Sequence, residues 1–503
     1  MSAADRKVLL KVRNLKQYFP LSRKGTYVKA NDGIDLDIYE GEVLGLVGES
    51  GCGKSTFGRT LLQLYRQTDG RTMYYGKTLD DIAPKYARQT IDNLGKRKAE
   101  YIKLQQKADE LQREYDSLSE EQRYARHEEL SAARKKANDA LLDIANIIGG
   151  LYILDDFSEV SKVYRNDYDL ALKRRNLRND LDLANARKED LVYQGKSSDA
   201  YDNKIEKLNQ QISDLDKKIE ESHVLIQKLR EPYLNDENFQ KYDELKDDGI
   251  DMARLDYSEM RLLRRDLQIV FQDPYSSLNP RLTIGQIIAE GLKAHNIFDK
   301  DSPRMQDYIL KVMDECGLQA YFLHRFPHQF SGGQRQRISI ARALAVNPKF
   351  VVCDEAVSAL DVSIQSQIIN LLQDLREKQD LTYLFITHDL SVVKYISDRI
   401  GVMYLGNIVE LGDSQEIFAH PTHPYTVALI NAIPTTDPEG QKELKILEGD
   451  IPSPVNPPAG CKFHTRCQYC TQICKQVTPE WQQISENHFI ACHHPLNTEK
   501  SDQ

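Results

Sequence analysis

A short run of glycine, lysine and hydroxyl residues near the N-terminus has the composition of a phosphate-binding loop. Residues 42–47 predict a short apolar strand, and an amphipathic helix is predicted from Phe57 onward. Between them the chain follows the pattern G-x-x-x-x-G-K-[ST], with Gly48, Glu49, Ser50, Gly51, Cys52, Gly53, Lys54, Ser55 and Thr56. Glycines let backbone N–H groups surround phosphate oxygens, and a helix N-terminus adds a positive dipole. The sequence therefore predicts an ATP site, with Lys54 at the β- and γ-phosphates and Ser55 on Mg²⁺.

Two further apolar strands end in side chains suited to metal binding and hydrolysis. Residues 349–353 predict a buried strand followed by Asp354 and Glu355, and residues 381–387 predict another followed by His388. Parallel strands direct such residues toward a phosphate loop at their carboxyl ends. We expect Asp354 to hold Mg²⁺ and Glu355 to polarise the attacking water. We expect His388 to contact the γ-phosphate and link it to Glu355.

Length and composition indicate the kind of chain that positions these residues. The 503 residues, 40% hydrophobic and 28% charged, are typical of a globular protein of two or three domains. No run approaches the roughly 18 apolar residues that span a bilayer, and the N-terminus lacks a signal-peptide pattern. We expect a protein that stays in the cytosol or reaches the membrane only through a partner. The net charge of −9 argues against nucleic-acid binding.

Residues 84–254 stand apart because they contain 31 basic and 36 acidic side chains among 171 residues. This composition predicts long exposed helices, and a heptad seam marks the second half. The seam consists of Ile205, Leu208, Ile212, Leu215, Ile219, Ser222, Ile226 and Leu229. A less regular helical stretch covers about 96–148, and residues 147–156 predict a tip or a second turn. Helices of about 50 residues would be roughly 75 Å long, forming either a solvated spacer or an arm that docks a partner.

The segment Phe330-Ser331-Gly332-Gly333-Gln334-Arg335-Gln336-Arg337 makes the chain resemble the ATP-binding subunits of ABC transporters. The resemblance implies an α/β fold, an ABC-type P-loop ATPase with a RecA-like core and antiparallel β and helical subdomains. A long α-helical coiled-coil insertion and a cysteine-containing C-terminal extension are added to it. The expected domains are 1–83 (ATPase, first part), 84–254 (insertion), 255–420 (ATPase, second part) and 421–503 (C-terminal region).

The same resemblance assigns further site residues. Gln272 matches the Q-loop, which senses the γ-phosphate and contributes to the Mg²⁺ site, and Asp361 lies in the D-loop. Ser331, Gly332, Gly333 and Gln334 match the signature, which the family uses in trans to close over ATP held by another subunit. Phe19 falls where the family places an adenine-stacking aromatic residue, with Tyr18 as the alternative. One chain alone is therefore expected to form incomplete sites.

Three segments are similar to the ATPases of oligopeptide and dipeptide permeases, namely 273–281, 357–365 and 420–426, and the first two resemble the F-type subunit rather than its D-type partner. The similarity implies an importer at the cytoplasmic face of the membrane. Its other parts would be a second, paralogous D-type ATPase and two membrane permease subunits, with an external peptide-binding protein acting indirectly. Which peptides are carried does not follow from this chain.

Four cysteines near the C-terminus have the spacing of a metal or cluster site: Cys461, Cys467, Cys474 and Cys492. Comparable regions of peptide-permease ATPases carry a [4Fe–4S] cluster in some members. Four thiolates also suit tetrahedral zinc, although Cys467 and Cys470 form the one C-x₂-C pair in this region. Unmetallated buried thiols are the third alternative, and Cys470 is not expected to be a ligand.

Other ABC-type ATPases also carry long coiled coils, so a role in chromosome maintenance or DNA repair is the alternative function. In that class the coiled coil lies between the Q-loop and the signature. Here the charged segment lies before Gln272, and the chain from Gln272 to Ser331 is uninterrupted. ABC proteins of translation usually hold two cassettes, whereas this chain has one. The transporter interpretation is therefore favoured.

Overall fold

The structure is a computed structural model that describes residues 6–23, 25–299, 302–358, 360–432 and 449–497. The chain forms two compact units. The first contains residues 1–76 and 263–503, and the second runs from Lys77 to Leu262. The second unit includes more residues than the insertion expected at 84–254. The exact boundaries of that insertion stay a prediction.

The first unit contains an eight-stranded sheet with the order β11-β12-β10-β9-β3-β8-β7-β6. Strands β9, β3, β8, β7 and β6 are parallel, and the others continue the sheet in antiparallel fashion. Strand β1 pairs antiparallel with both β2 and β4 in another sheet. The strands of this unit are Val8–Pro20 (β1), Tyr27–Tyr39 (β2), Val43–Val47 (β3), Asp69–Tyr74 (β4), Leu267–Val270 (β6), Phe350–Asp354 (β7), Thr382–Ile386 (β8), Arg399–Tyr404 (β9), Asn407–Asp413 (β10), Gln482–Ser485 (β11) and His488–Ile490 (β12).

Strands β3, β7 and β8 are buried along their whole length, as expected for parallel strands covered on both faces. Their carboxyl ends lead into the glycine-rich loop, Glu355 and His388. The helices of the first unit are Lys54–Leu61 (α1), Pro274–Ser277 (α10), Ile284–Ala294 (α11), Pro303–Glu315 (α12), Gly332–Leu344 (α13), Val362–Gln379 (α14), Leu390–Ile396 (α15), Ser414–Ala419 (α16), Pro424–Asn431 (α17) and Gln472–Gln476 (α18).

The second unit is almost entirely helical, and its long helices form two hairpins. Helix α4 packs on α5, and α6 packs on α7. The helices are Leu79–Ile82 (α2), Lys85–Asp92 (α3), Leu94–Ser117 (α4), Glu120–Ile148 (α5), Ser158–Tyr193 (α6), Asp199–Arg230 (α7), Glu237–Asp243 (α8) and Tyr257–Leu263 (α9), with the two-residue strand Ile250–Asp251 (β5).

The expectation of helices about 50 residues long is wrong. The predicted stretch 96–148 breaks at Leu118 and Ser119, where a capping box between Ser119 and Gln122 starts α5. The longest helix described, α6, has 36 residues, which corresponds to about 54 Å at 1.5 Å per residue. The seam residues of α7 are buried or half-buried.

The segment 147–156, expected to be a tip or second turn, is a turn whose residues 147–152 are buried, whereas Asp155 and Asp156 are exposed. Helix α5 ends at Ile148, and Gly149 has a φ of 57°. Gly150 lies against Phe239 so closely that an added Cβ would meet the ring at 2.5 Å. The turn therefore belongs to the packed interior of the second unit.

The first unit is built from two chain segments, and the end of the first segment lies next to the beginning of the second. The Tyr74 hydroxyl donates to Asp266 Oδ2 at 2.9 Å, and Lys349 Nζ donates to the Gly76 carbonyl at 2.8 Å. Lys349 also donates its backbone N–H to the Asp266 carbonyl. The end of β4 and the start of β6 are thus held side by side by bonds that involve the first unit alone.

None of the helices in the described ranges combines the length and the apolar character that crossing a membrane requires.

Candidate ATP-binding site

The glycine-rich loop connects β3 to α1, as the sequence predicts. Gly48 and Gly53 have φ angles of 153° and 106°. A Cβ at Gly48 would meet the Met403 carbonyl oxygen at 2.1 Å, and one at Gly53 would meet the Ala30 carbonyl oxygen at 2.2 Å. The loop can therefore take this path only with glycine at both positions.

Lys54 donates hydrogen bonds to the backbone of its own loop. Its ammonium donates to the carbonyls of Gly48 at 2.7 Å and Glu49 at 3.0 Å, and the side chain is buried. Burial raises the pKa of the neighbouring Cys52 thiol, so this residue is a neutral part of the loop at pH 7. The two hydrogen bonds hold the Lys54 ammonium against the backbone of the glycine-rich loop.

Asp354 ends β7 as a fully buried carboxylate with one oxygen unused. Its Oδ2 atom accepts from Arg59 Nη2 at 3.1 Å. Its Oδ1 atom has no hydrogen-bond partner. A buried carboxylate oxygen without a donor is costly unless a cation or water completes it. This orphaned oxygen fits an Mg²⁺ site, in which a carboxylate and retained waters are usual ligands.

Glu355 is the centre of a small polar group. Gln272 Nε2 donates to its Oε2 atom at 2.6 Å, and His388 Nδ1 lies 3.5 Å from its Oε1 atom. The Glu355 backbone has a φ of 48° and donates its N–H to the Ile386 carbonyl. Since non-glycine residues rarely adopt this conformation, the turn after β7 holds the carboxylate in a strained, defined position.

A cavity of about 660 Å³ joins these groups. The predicted site residues that line it are Phe19, Ser50, Gly51, Cys52, Gly53, Lys54, Ser55, Thr56, Gln272, Glu355 and His388. Ser358, the first residue of the segment 358–361 that resembles the family's D-loop, also lines it. Lys29 and Pro454 line it as well, and sequence reasoning did not assign these two to the site. A volume of this size holds a nucleotide-sized ligand.

Other predicted residues lie outside that lining: Gly48, Glu49, Asp354, Ser331, Gly332, Gly333, Gln334 and Asp361. Gly48 and Glu49 belong to the same loop as the lining residues, and Asp354 directly precedes Glu355 in the chain. The signature residues instead begin α13, where Ser331 and Gln334 form a capping box. Ala359, next to the predicted D-loop residue Asp361, lies outside the described residues.

Phe19 and Tyr18 point to different partners. Phe19 lines the cavity and packs edge-on against Tyr65, with ring centroids 5.3 Å apart. The Tyr18 hydroxyl donates to Asp32 and does not line the cavity. The geometry favours Phe19 as the aromatic residue available to a base.

The C-terminal region braces the loop, which the sequence did not reveal. Arg466 donates to both carboxylate oxygens of Glu49, at 2.8 and 3.1 Å. The Glu49 N–H donates to the Tyr425 hydroxyl at 2.9 Å. The similarity of segment 420–426 and of the cysteine region to the permease ATPases pointed to this part of the chain, but it named no contact with the loop. Arg466 and Glu49 lie 417 positions apart, a separation that no local pattern encodes.

Four thiols surround a second, small cavity in the C-terminal region. It is lined by Cys461, Cys467, Cys474 and Cys492, and Cys470 is not among its lining residues. Burial raises the pKa of Cys461 to about 11 and that of Cys492 to about 12, and the other thiols add to both shifts. Cys461 and Cys492 are therefore neutral thiols at pH 7 unless a bound cation stabilises their thiolates.

Comparison with protein-family models gives two matches. The ABC transporter model matches residues 31–231 and 234–358. The model of the oligopeptide/dipeptide transporter C-terminal region matches residues 409–474.

The curated relatives are oligopeptide transport ATP-binding proteins. The chain is 33% identical over 500 residues to the oligopeptide transport ATP-binding protein AppF of Bacillus subtilis, covering 98% of this chain and 99% of that protein. It is 48% identical over 257 residues to YkfD of the same organism, a putative oligopeptide transport ATP-binding protein, covering 51% of this chain and 78% of YkfD. A solved bacterial ABC transporter cassette in dimeric form is 17% identical, with a TM-score of 0.43, covering 81% of this chain and 99% of that one.

Proposed function

Since the chain belongs to the ABC transporter family, as an ATP-binding subunit of oligopeptide transport, we propose that it hydrolyses ATP to drive the import of oligopeptides or dipeptides. The relative AppF, which aligns over 98% of the chain, supports this function over a role in chromosome maintenance. We propose that the chain works at the membrane with a second ATPase subunit, a paralogous D-type chain, and with two permease subunits. An external peptide-binding protein would deliver the substrate.

The observation that carries the proposal is the separation of two half-sites on one chain. The cavity with the phosphate loop contains Gln272, Glu355 and His388, whereas Ser331 and its neighbours lie outside its lining. The signature helix α13 begins outside this cavity, with N–H groups and a positive dipole at its N-terminus that suit a phosphate. A second subunit that contributes its signature would complete each ATP site. ATP then joins the subunits, and its cleavage separates them.

Each residue has a proposed part in hydrolysis. Lys54, Ser55 and the loop N–H groups hold the phosphates, and Phe19 stacks on the base. Asp354, together with Ser55 and Gln272, would hold Mg²⁺, which neutralises phosphate charge as the bond breaks. Glu355 accepts a proton from the attacking water, and its hydrogen bond from Gln272 and proximity to His388 keep it oriented. Gln272 reports the γ-phosphate to the helical part of the cassette.

Glu355→Gln tests this arrangement. Glutamine keeps the shape but accepts a proton poorly, so we expect phosphate release to fall at least about 100-fold while ATP binding persists. The variant should form an ATP-dependent complex with the second ATPase subunit, measured by light scattering. Glu377→Gln, on the exposed face of α14, is the matched control and should hydrolyse normally. Normal hydrolysis by the Glu355 variant would remove it as the base, and a monomeric, fully active chain would refute the half-site proposal.

We further propose that Cys461, Cys467, Cys474 and Cys492 hold a [4Fe–4S] cluster with a structural role. Spacing supports a cluster over zinc: among the described residues, no three cysteine sulfurs lie within 4.8 Å of one another. Tetrahedral zinc, with Zn–S bonds of about 2.3 Å, needs sulfurs roughly 3.8 Å apart. A larger inorganic core keeps the four sulfurs farther apart.

The cluster is tested by iron and acid-labile sulfide analysis of anaerobically purified protein. Wild type should contain about four irons and four sulfides per chain, as the cluster formula requires. Cys492→Ser should lose most of them. Cys470→Ser, which changes a thiol outside the cavity, should keep them. Colourless wild-type protein with one zinc per chain, or with no metal, would reject the cluster.

A further inference from the structure

A cavity of about 320 Å³ lies among the helices of the second unit. Three side chains that can bind metal ions reach its wall from three helices: Asp80 from α2, Asp167 from α6 and His223 from α7. Residues 80 and 223 are far apart in the chain, so the fold and not local sequence brings this set together. Nothing in the ATP site or the cysteine site involves this group.

The three ligand atoms have the spacing of a mononuclear metal site. His223 Nε2 lies 3.4 Å from Asp80 Oδ2 and 3.6 Å from Asp167 Oδ1. All three atoms lie within 4.8 Å of one another. A tetrahedral zinc ion with bonds of about 2.0–2.2 Å separates its ligands by roughly 3.3–3.6 Å. Only a small approach of the two carboxylates would complete the geometry.

Buried polar atoms without a hydrogen bond around the cavity also suit a bound cation. Asp167 Oδ1 is buried and makes no hydrogen bond. The Tyr164 hydroxyl, on a side chain that is 7% exposed and lines the cavity, makes none either, although the Arg230 guanidinium is near it. Burial and the charge of Asp80 raise the pKa of Asp167. Two carboxylates that repel each other, beside an unsatisfied hydroxyl, are the environment that a divalent ion stabilises.

The neighbouring charged side chains do not neutralise the two carboxylates. Arg174 lies close enough to lower the pKa of Asp167, but its guanidinium bonds Asp216 at 3.2 Å. Lys246 and Asp248 line the cavity as well, and their charges offset each other. The carboxylates of Asp80 and Asp167 therefore keep the local charge around the cavity negative.

We propose that Asp80, Asp167 and His223 bind one divalent transition-metal ion, with zinc as the best match. One imidazole nitrogen and two carboxylate oxygens suit zinc, and a fourth position would face the cavity and its Tyr164 hydroxyl. The ion ties α2, α6 and α7 together at one point. It therefore makes the packing of the helical unit dependent on metal supply.

Metal titration of the full-length protein tests the site. Protein stripped with a chelator is titrated with Zn²⁺ alone or Co²⁺ alone, by calorimetry and visible absorption. Wild type should bind one more ion per chain than Asp167→Asn or His223→Gln, with at least about 100-fold weaker binding at this site in the variants. The added Co²⁺ spectrum should lack thiolate charge-transfer bands, which separates this site from the cysteines. His127→Gln, an exposed histidine of the same unit, is the matched control and should bind like wild type.

Thermal unfolding keeps the test decisive if a variant is poorly folded. Zn²⁺ should raise the Tm of wild type and of the His127 variant by more than that of Asp80→Asn, the mildest ligand replacement, because the cysteines remain available to Zn²⁺ in all three proteins. Circular dichroism checks that each variant retains its helices. Equal numbers of bound ions in wild type and in folded ligand variants would overturn the proposal, and so would an extra ion that shows only thiolate bands. In that case His223 serves as an ion-pair partner of the two carboxylates.

Discussion

Replacing Arg466 by methionine should weaken the phosphate loop from a distance. Arg466 is 5% exposed in its side chain, and Glu49 is 27% exposed. Removing one partner of a well-buried ion pair costs about 3–5 kcal/mol. Glu49 keeps some contact with water, so its carboxylate is partly solvated after the change. We therefore expect the free energy of unfolding to fall by about 2–4 kcal/mol.

Part of that loss should appear in nucleotide affinity. Glu49 lies inside the loop, and its N–H stays bonded to Tyr425 after the substitution. We therefore expect a loop that is looser but still present, with ATP bound about 10-fold more weakly, which equals about 1.4 kcal/mol. Thermal unfolding without ligand and titration with a fluorescent ATP analogue measure the two effects separately.

Two controls make the result interpretable. Lys475→Met removes an exposed cation from the same C-terminal region and should change neither quantity. In a double-mutant cycle, Glu49→Gln combined with Arg466→Met should cost less than the sum of the single changes. If the Arg466 variant matches wild type in both stability and affinity, the C-terminal region does not brace the loop.

Two further predictions concern backbone space and pH. Gly53→Ala should abolish ATP binding and lower the Tm, since the new Cβ would lie 2.2 Å from the Ala30 carbonyl oxygen at a φ of 106°; wild-type affinity in a filter-binding assay would contradict the close packing. His423 is buried and accepts the Tyr425 N–H, and burial lowers its pKa from 6.5 to about 4. Between these two pH values His423 therefore stays neutral in the folded protein but takes up a proton in the unfolded chain. The free energy of unfolding should fall as pH drops from about 6.5 to about 4, by up to about 1.4 kcal/mol per pH unit. His423→Asn keeps the N-cap bond without titrating, so its urea midpoint should depend less on pH over that range; equal slopes for the two proteins would show that His423 is protonated when folded.

Local patterns predicted the parts of the ATP site that depend on local geometry. The loop between β3 and α1, and the residues after β7 and β8, follow from strand–loop–helix spacing, because parallel strands direct their ends to one edge. The sequence could not show that Gln272 bonds Glu355, or that Phe19 rather than Tyr18 lines the cavity. Those choices depend on how separate strands and loops pack.

In the helical second unit, prediction from the sequence was limited in a different way. Charge and periodicity indicated helices, but a uniform composition does not say where a long helix folds back. The break before Ser119 carried a readable signal in the capping box with Gln122, whereas the buried turn depends on the contact of Gly150 with Phe239, which lies 89 positions further on. The contact between Arg466 and Glu49 had no local signal.

The bonds that join Tyr74 to Asp266 and Lys349 to Gly76 have a consequence for the history and engineering of this protein. A module whose entry and exit are adjacent can be gained, lost or exchanged in one genetic step without shifting the register of its host. A shortened gene that joins position 76 to position 263 through a few glycines and serines should yield a nucleotide-binding protein. The same junction offers a port where an unrelated domain could be grafted.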